Sequence, residues 1–524
     1  MHMTSPNPKA FAILIALLSI SFAPGCSETT AEPPALTGQA ETSAPTESIV
    51  EAELLAEDET WDVYFMQGSR VGYGQTTIRH ATESGRKVVR IEGLNHLAIR
   101  RFGEVTRQDL RFSCVETPDG ELIEFDTEMQ MGSVPMRTVG RVDGNRLRMD
   151  VTTAGKKVST SIPWSPDDGG PYAIEASLLR RPMRPGETRT VRALVPGFNQ
   201  VATTRMTARD FEPVELLTGT SDLLRIDTTM RFSDGNTLDG SVWTNRQGDA
   251  LKTRTEAMAM ETFRVSKTLA LEKTEPGEFD LGIDVAVKID RPLVRPHATK
   301  KATYRVHLDG GDPAAVFVSG VSQRVKSIDP HTAEITVYAI RPGNSHGNPA
   351  ATDDPPTDDD RQPNNLIQSD DARITAMAVE ATGDETEPWQ IALTLERFVS
   401  KRITNKGFSQ AFATAAEVAE NPEGDCTEHA VLLTALARAK GIPARVAIGL
   451  VYMQGNAAFG YHMWSEVYID GRWIPLDATL AQGGIGAAHL KLAHTNLKGA
   501  SAYSSFLPVV QVTGRLKIEV VDIE

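Results

Sequence analysis

The sequence predicts a multidomain chain: an antiparallel β-rich N-terminal region, built as a sandwich or open barrel, followed by an α+β domain. Three observations carry this. Residues 61–295 run through strand-like segments with apolar residues near period two, separated by short turns. A stretch rich in Pro, Asp and Asn, residues 346–365, then interrupts the chain and reads as an interdomain linker. Beyond it the apolar residues change to helical spacing.

The N-terminus comes first. Lys9 precedes the small and apolar run "AFAILIALLSISFA" (10–23), too short to span a bilayer but suited to the core of a signal peptide. It ends in Ala23-Pro24-Gly25-Cys26, which resembles a bacterial lipoprotein signal, with Cys26 acylated as the new N-terminus. That resemblance implies residues 1–26 are removed or lipidated, and that the protein is exported and membrane-anchored in the cell envelope, periplasmic or on the outer-membrane side. Residues 27–60 carry nine acidic residues and no basic ones, and read as a disordered tether. With "DDPPTDDDR" (353–361) they account for most of the net charge of −15. Nothing forms a basic footprint for nucleic acid. The aspartate run lacks the glycine and terminal glutamate of a calcium loop.

Within 61–295, "WDVYFMQGSRVGYGQTTIRH" alternates around a Gly-Ser turn, and "RTVGRVDGNRLRMDVTT" has Asp143-Gly144 between two alternating runs, the pattern of a tight hairpin. Residues 170–185 include a short helix. A smaller β-rich segment, 296–345, precedes the linker, and 366–524 form the last domain, with "GRLKIEVVDIE" (514–524) as a closing edge strand. The large β-rich region is expected to present or recognise substrate. In "EPWQIALTLERFVSKRI", Trp389, Ile391, Leu395, Phe398, Val399 and Ile403 share a helical stripe, and Pro388 sits where a first-turn proline belongs.

The chain has three cysteines. Cys114 lies in the strand-like "DLRFSCVETPDG" and reads as a small buried residue; a Cys114–Cys426 disulfide is conceivable. Cys426 is different. Asp425 is a good N-cap and Glu428 completes a capping box; the helix then runs through Val431, Leu432, Leu436 and Ala439 and stops at Gly441, with Pro443 beyond. That places Cys426 at the first helical position, where unpaired N–H groups and the helix dipole favour a thiolate.

A thiolate nucleophile needs an acid–base partner held by a third group. In "GYHMWSEVYIDGRWIPLDAT" (460–479), Asp470-Gly471 is a strong hairpin signal. A two-residue turn there opposes Ile469 to Arg472, and puts His462 and Asp477 on one face as diagonal neighbours about 7–8 Å apart at the backbone. A one-residue slip would separate them.

These motifs, "GDCTEHA" at 424–430, "GIPAR" at 441–445, "HMWSEVYIDGRW" at 462–473 and "PLDAT" at 475–479, together resemble the bacterial transglutaminase-like superfamily over about 366–495. The resemblance implies a papain-like fold with Cys426 as nucleophile, His462 as general base and acid, and Asp477 as orienter of the imidazole. It implies acyl transfer from an amide through a thioester, without cofactor or metal, on a protein or peptide substrate such as a cell-wall peptide. The second oxyanion donor is open: the papain pattern wants glutamine six residues before the cysteine, where this chain has Glu420, and Gln410 is the candidate. Trp464 shares the His462 face and either walls the cleft or fills the core, and Trp473 reads as core. His429 is read as helix packing, and His489 and His494 are given no role. Zinc on Cys426, His429, His462 and Asp477 lacks the usual ligand spacing. Three functions remain: a cysteine peptidase or amidase, a transglutaminase joining acyl donor to amine, and a non-catalytic binding or scaffold module.

Overall fold

A computed structural model describes residues 56–524 except 84, 131–133, 274–276, 342–346, 349–350, 352, 406, 408–411 and 501. The signal sequence, Cys26, most of the acidic tether and Gln410 lie outside the described residues.

Strands Ala56–Met66, Ser69–Glu83, Arg86–Arg101, Glu104–Glu116, Leu122–Gln130, Met136–Asp143, Arg146–Thr153 and Lys156–Pro163 follow one another as antiparallel neighbours. The chain then makes the edge strand Asp168–Gly169 and the helix Ala173–Arg180, inside the stretch expected to hold one. It returns through Thr188–Val195, Gln200–Leu216, Gly219–Arg231, Thr237–Thr244, Ala250–Thr255 and Met260–Val265. The last strand pairs with the first, from Trp61↔Val265 to Met66↔Met260. Two meanders thus share one sheet of 15 strands, not two separate sheets, and a bridge Glu121↔Gly169 ties its edge strand back to the first meander.

Local details shift the reading. The first strand starts inside the stretch taken as disordered tether, because pairing such as Glu59↔Thr77 uses backbone groups and needs no apolar side chain. The hairpin at 143–146 closes on Asp143↔Arg146, so Gly144 (φ 59°) and Asn145 make the turn, with the glycine at the first central position.

After Val265 the chain leaves this sheet. Val287–Lys288 pairs with Ala458–Phe459, so the end of the 61–295 region belongs to the C-terminal sheet. That sheet also holds Ala444–Met453, Ala458–Ile469, Arg472–Leu476 and His489–Thr495. A four-stranded sheet follows the order Gln323–Asp329, Thr332–Tyr338, Lys301–Leu308, Leu516–Ile523. The closing strand therefore does not edge the C-terminal domain's own sheet. It joins the 296–345 segment, with Tyr304↔Val520 in register, and its alternating Ile518 and Val520 are buried there.

The linker is also packed where it is described. Asp353 accepts the Trp473 backbone N–H at 2.9 Å, the Trp473 indole donates to the Asp354 carbonyl at 2.8 Å, and Asn364 and Asn365 are buried. Asp353, Asn364 and Asn365 bond to backbone groups of the C-terminal region or of the segment itself, while Asp354, Asp358 and Arg361 stay exposed.

Helices Ala372–Thr382, Pro388–Arg402, Ala415–Glu420 and Cys426–Ala439 complete the C-terminal region. Proline opens the second, and Ile391, Leu395, Val399 and Ile403 are buried along its stripe. The fourth is buried on every side from Cys426 to Arg438, its polar residues Thr427, Glu428, His429, Thr434 and Arg438 included. Truncating one of its leucines, Leu432→Ala for example, is expected to cost about 2–5 kcal/mol. One hydrophobic core runs from the large sheet through this helix. Side chains stitch the same boundary: Asn199 donates to the Ala500 carbonyl at 2.8 Å and Gln511 to the Thr237 carbonyl at 2.7 Å.

Candidate active site

Asp425 caps the helix that begins at Cys426: its Oδ1 accepts the Thr427 N–H at 2.8 Å, and Glu428 Oε2 accepts the Asp425 N–H at 2.9 Å. The opposite end closes at Gly441 with φ 77°, a left-handed position that suits glycine. Cys426 is fully buried, and both described cysteines are free, so no disulfide joins it to Cys114. Cys114 packs in the large sheet with its thiol 3.6 Å from Glu116 Oε1.

The strand Ala458–Ile469 runs beside this helix, with Ser465 Oγ donating to the Ala430 carbonyl at 3.0 Å. The hairpin pairs Ile469↔Arg472 through Ser465↔Leu476, and Asp470 (φ 52°) and Gly471 (φ 78°) form the turn. Pairing stops at Leu476, one residue before Asp477. Its Oδ1 accepts the Thr479 N–H at 2.9 Å. Its Oδ2 lies 2.8 Å from His462 Nε2.

The same Oδ2 also lies 2.9 Å from His489 Nε2. An ionised carboxylate oxygen only accepts, so both imidazoles carry their proton on Nε2. His462 Nδ1 is buried with no hydrogen-bond partner. Burial alone would raise the Asp477 carboxyl, but the charges and hydrogen bonds of His462 and His489 outweigh it and hold it well below the carboxylate range. His489 moves down, chiefly from burial. Trp464 stacks on His462 with centroids 6.2 Å apart and meets His489 edge-on at 5.3 Å. His297 adds a third imidazole 6.0 Å from His489; burial and then the His489 charge push it down to about 4.

Reasoning from sequence missed His489 and Glu396. Glu396 is fully buried on the helix Pro388–Arg402 and accepts the N–H groups of Asp477 (3.2 Å), Gly483 (3.0 Å) and Gly484 (3.3 Å). Burial pushes it up to about 7. A glutamate beside Leu395 on the apolar stripe was the available signal. His489 had none, because its partner is set by pairing of its strand with Ala444–Met453.

The thiol departs from expectation. The helix terminus was read as favouring a thiolate, yet burial, then the charge of Asp425, push the Cys426 thiol well up, with the Met463 backbone N–H and Arg101 opposing. The sequence argument counted the helix dipole and omitted desolvation. Glu428 is likewise pushed well up by burial and by Asp425. His429 Nδ1 donates to the Asp425 carbonyl at 2.6 Å, as a packing histidine would. Among the described residues, His462, Asp477 and His489 bring donor atoms within 4.8 Å of one another, a spacing three ligands of a cation can have. Hydrogen bonding from two imidazoles to one oxygen already accounts for it.

Residues 375–478 match the profile of the transglutaminase-like superfamily. This is a transglutaminase-like domain. The match contains Cys426, His462 and Asp477 and stops before His489. Among solved structures, the chain is similar to a candidate cysteine protease from Cytophaga hutchinsonii, at 17% identity over 44% of this chain and 85% of that one, TM-score 0.28. It is similar to a β-barrel-like protein of unknown function from Brucella abortus, at 8% identity over 39% and 93%, TM-score 0.27. It is also similar to a TGase, at 18% identity over 32% and 45%, TM-score 0.17. No curated protein matches the chain. The transglutaminase-like domain sits at the C-terminal side of the large sheet, and its three candidate residues are buried.

Proposed function

We propose that this protein is a cysteine peptidase or amidase in a papain-like arrangement, with Cys426 as nucleophile, His462 as general base and acid, and Asp477 as the group that orients the imidazole. The observation that carries the reading is the contact of His462 Nε2 with Asp477, which leaves Nδ1 unpartnered. With Nε2–H committed to Asp477, the free Nδ1 lone pair belongs to a residue whose neighbour, Met463, turns its N–H to the Cys426 thiol.

In this reading Nδ1 takes the Sγ proton and the thiolate attacks the substrate amide carbon. The proton passes to the leaving nitrogen, the C–N bond breaks, and a thioester remains. Water then gives a proton to His462 and its oxygen displaces sulfur, releasing a carboxylic acid and restoring the thiol. The Cys426 N–H, at the start of its helix, serves the developing oxyanion. Gln410 remains the candidate for the second donor. Substrates are proteins or peptides outside the cytoplasm, cell-wall peptides included, reached by a protein tethered through a lipid on Cys26.

The test supplies the full chain with peptide amides in the presence of a primary amine and identifies the products by mass. Hydrolysed product, lost in Cys426→Ala, is the expected result. A dominant amine adduct would make the protein a transglutaminase, and no turnover would return it to a binding or scaffold module. Acylation is checked separately, from the mass of the mature N-terminus at Cys26.

A further inference from the structure

The large sheet sends one charged side chain into the active site. In the strand Arg86–Arg101 the inward positions are Leu97, Ile99 and Arg101, so an arginine stands where the alternation calls for an apolar residue. Its Nη2 lies 2.8 Å from Asp425 Oδ2, and both side chains are 1% exposed. Asp425 is the cap of the Cys426 helix, so the pair lies one residue from the candidate nucleophile.

The delivery is rigid. Arg101 ends its strand at a two-residue turn, Phe102 (φ 48°) and Gly103 (φ 87°), before the strand Glu104–Glu116. The Phe102 and Gly103 N–H groups donate to Asp280 Oδ1 and Oδ2 at 2.8 and 2.7 Å. Asp280 in turn caps the turn Leu281–Asp284. Asp280 also bridges Arg100, so this clamp holds the end of the strand that carries Arg101. It fixes where the guanidinium points.

The charges facing Cys426 can be enumerated. Its own helix supplies Asp425 and Glu428 and the large sheet supplies Arg101; His462, on the strand beside the helix, pairs with Asp477, which His489 also meets. Both groups from its own helix are acids, and a thiolate formed there stands beside the Asp425 carboxylate in a buried site. Arg101 opposes that charge.

We propose that Arg101 is a positioning residue of the active site, supplied by the β-rich region, which neutralises Asp425 and so permits Cys426 to ionise against His462. The large sheet then completes the catalytic centre instead of only presenting substrate. This rests on the cysteine-hydrolase reading, and it predicts opposite effects for the two members of the pair. Removing the cation leaves Asp425 opposing the thiolate. Removing the anion leaves Arg101 favouring it.

The experiment follows thiolate ultraviolet absorbance against pH in the full chain, as the difference from Cys426→Ser, for wild type, Arg101→Gln, Asp425→Asn and the double variant. Asparagine is as good an N-cap as aspartate, so Asp425→Asn keeps the helix start. The expected result is a thiol titration moved up by about one pH unit or more in Arg101→Gln, a tenfold loss of thiolate below it, moved down in Asp425→Asn, and returned near wild type in the double variant. Arg101→Lys stays close to wild type. Unchanged titration in folded Arg101→Gln overturns the proposal. If Arg101→Gln does not fold, unchanged titration in Asp425→Asn overturns it equally. Failure of the underlying reading looks different: His462→Ala would leave the wild-type titration where it was, whatever Arg101 does.

Discussion

His489 Nε2 lies 2.9 Å from Asp477 Oδ2, the oxygen that His462 engages at 2.8 Å. Two imidazoles share one acceptor, so Asp477 stays ionised with help from a residue outside the Cys-His-Asp set. His489→Ala removes one of the two groups that hold the Asp477 carboxyl down. Its carboxyl then rises, and the acid limb of the pH–rate profile moves to higher pH. His489→Gln keeps a donor and leaves the limb nearer wild type. A profile unmoved in His489→Ala would reduce this histidine to packing.

His462 and Asp477 carry sharper expectations. Asp477→Asn removes the charge that fixes the imidazole tautomer, and kcat/KM falls on the order of 10²–10⁴-fold with the fold intact. Cys426→Ala and His462→Ala abolish turnover. Steady-state kinetics with circular dichroism on each variant separates lost chemistry from lost structure.

Cys426, His462 and Asp477 are buried in this conformation. Substrate and reagents reach the thiol only through an opening of the structure. Alkylation by iodoacetamide, read on the peptide that carries Cys426, is therefore slower in the native chain than in the denatured one at the same pH. Equal rates would mean that the site stands open in solution.

What the sequence revealed about this site was local. Asp425 and Glu428 lie three residues apart, Asp470-Gly471 is a turn by its own chemistry, and each fixes its neighbours without outside help. From those two features follow the placement of Cys426 at a helix start and of His462 beside Asp477. Arg101, Glu396 and His489 act across the chain: Arg101 meets Asp425 at a separation of 324 residues. No short-range rule finds such a pair. The alternation of Leu97, Ile99 and Arg101 marks the arginine as buried but leaves its partner open. The closing strand was misplaced for the same reason, since its period identifies a strand and its neighbour is chosen by tertiary packing.

Glu466 supports the hairpin through two buried cations. Arg445 Nε lies 2.8 Å from it and Lys491 Nζ 2.6 Å. Burial would raise its carboxyl, but the two cations outweigh that and hold it at about 2. A depressed carboxyl stabilises the fold above the unfolded value, near 4.5, and that contribution is lost as pH falls toward 2. Glu466→Gln strands two buried cations and costs about 3–5 kcal/mol at neutral pH. The difference in Tm between wild type and variant narrows across that acid window. A constant difference would contradict the assignment.

The central claim, that Cys426 forms a thioester, is tested most directly by mixing the full chain with an activated ester, quenching in acid and measuring intact and peptide masses. The account predicts an acyl adduct on the Cys426 peptide in wild type, formed faster than in His462→Ala and discharged by water. No adduct at Cys426, or one formed equally fast without His462, would contradict it.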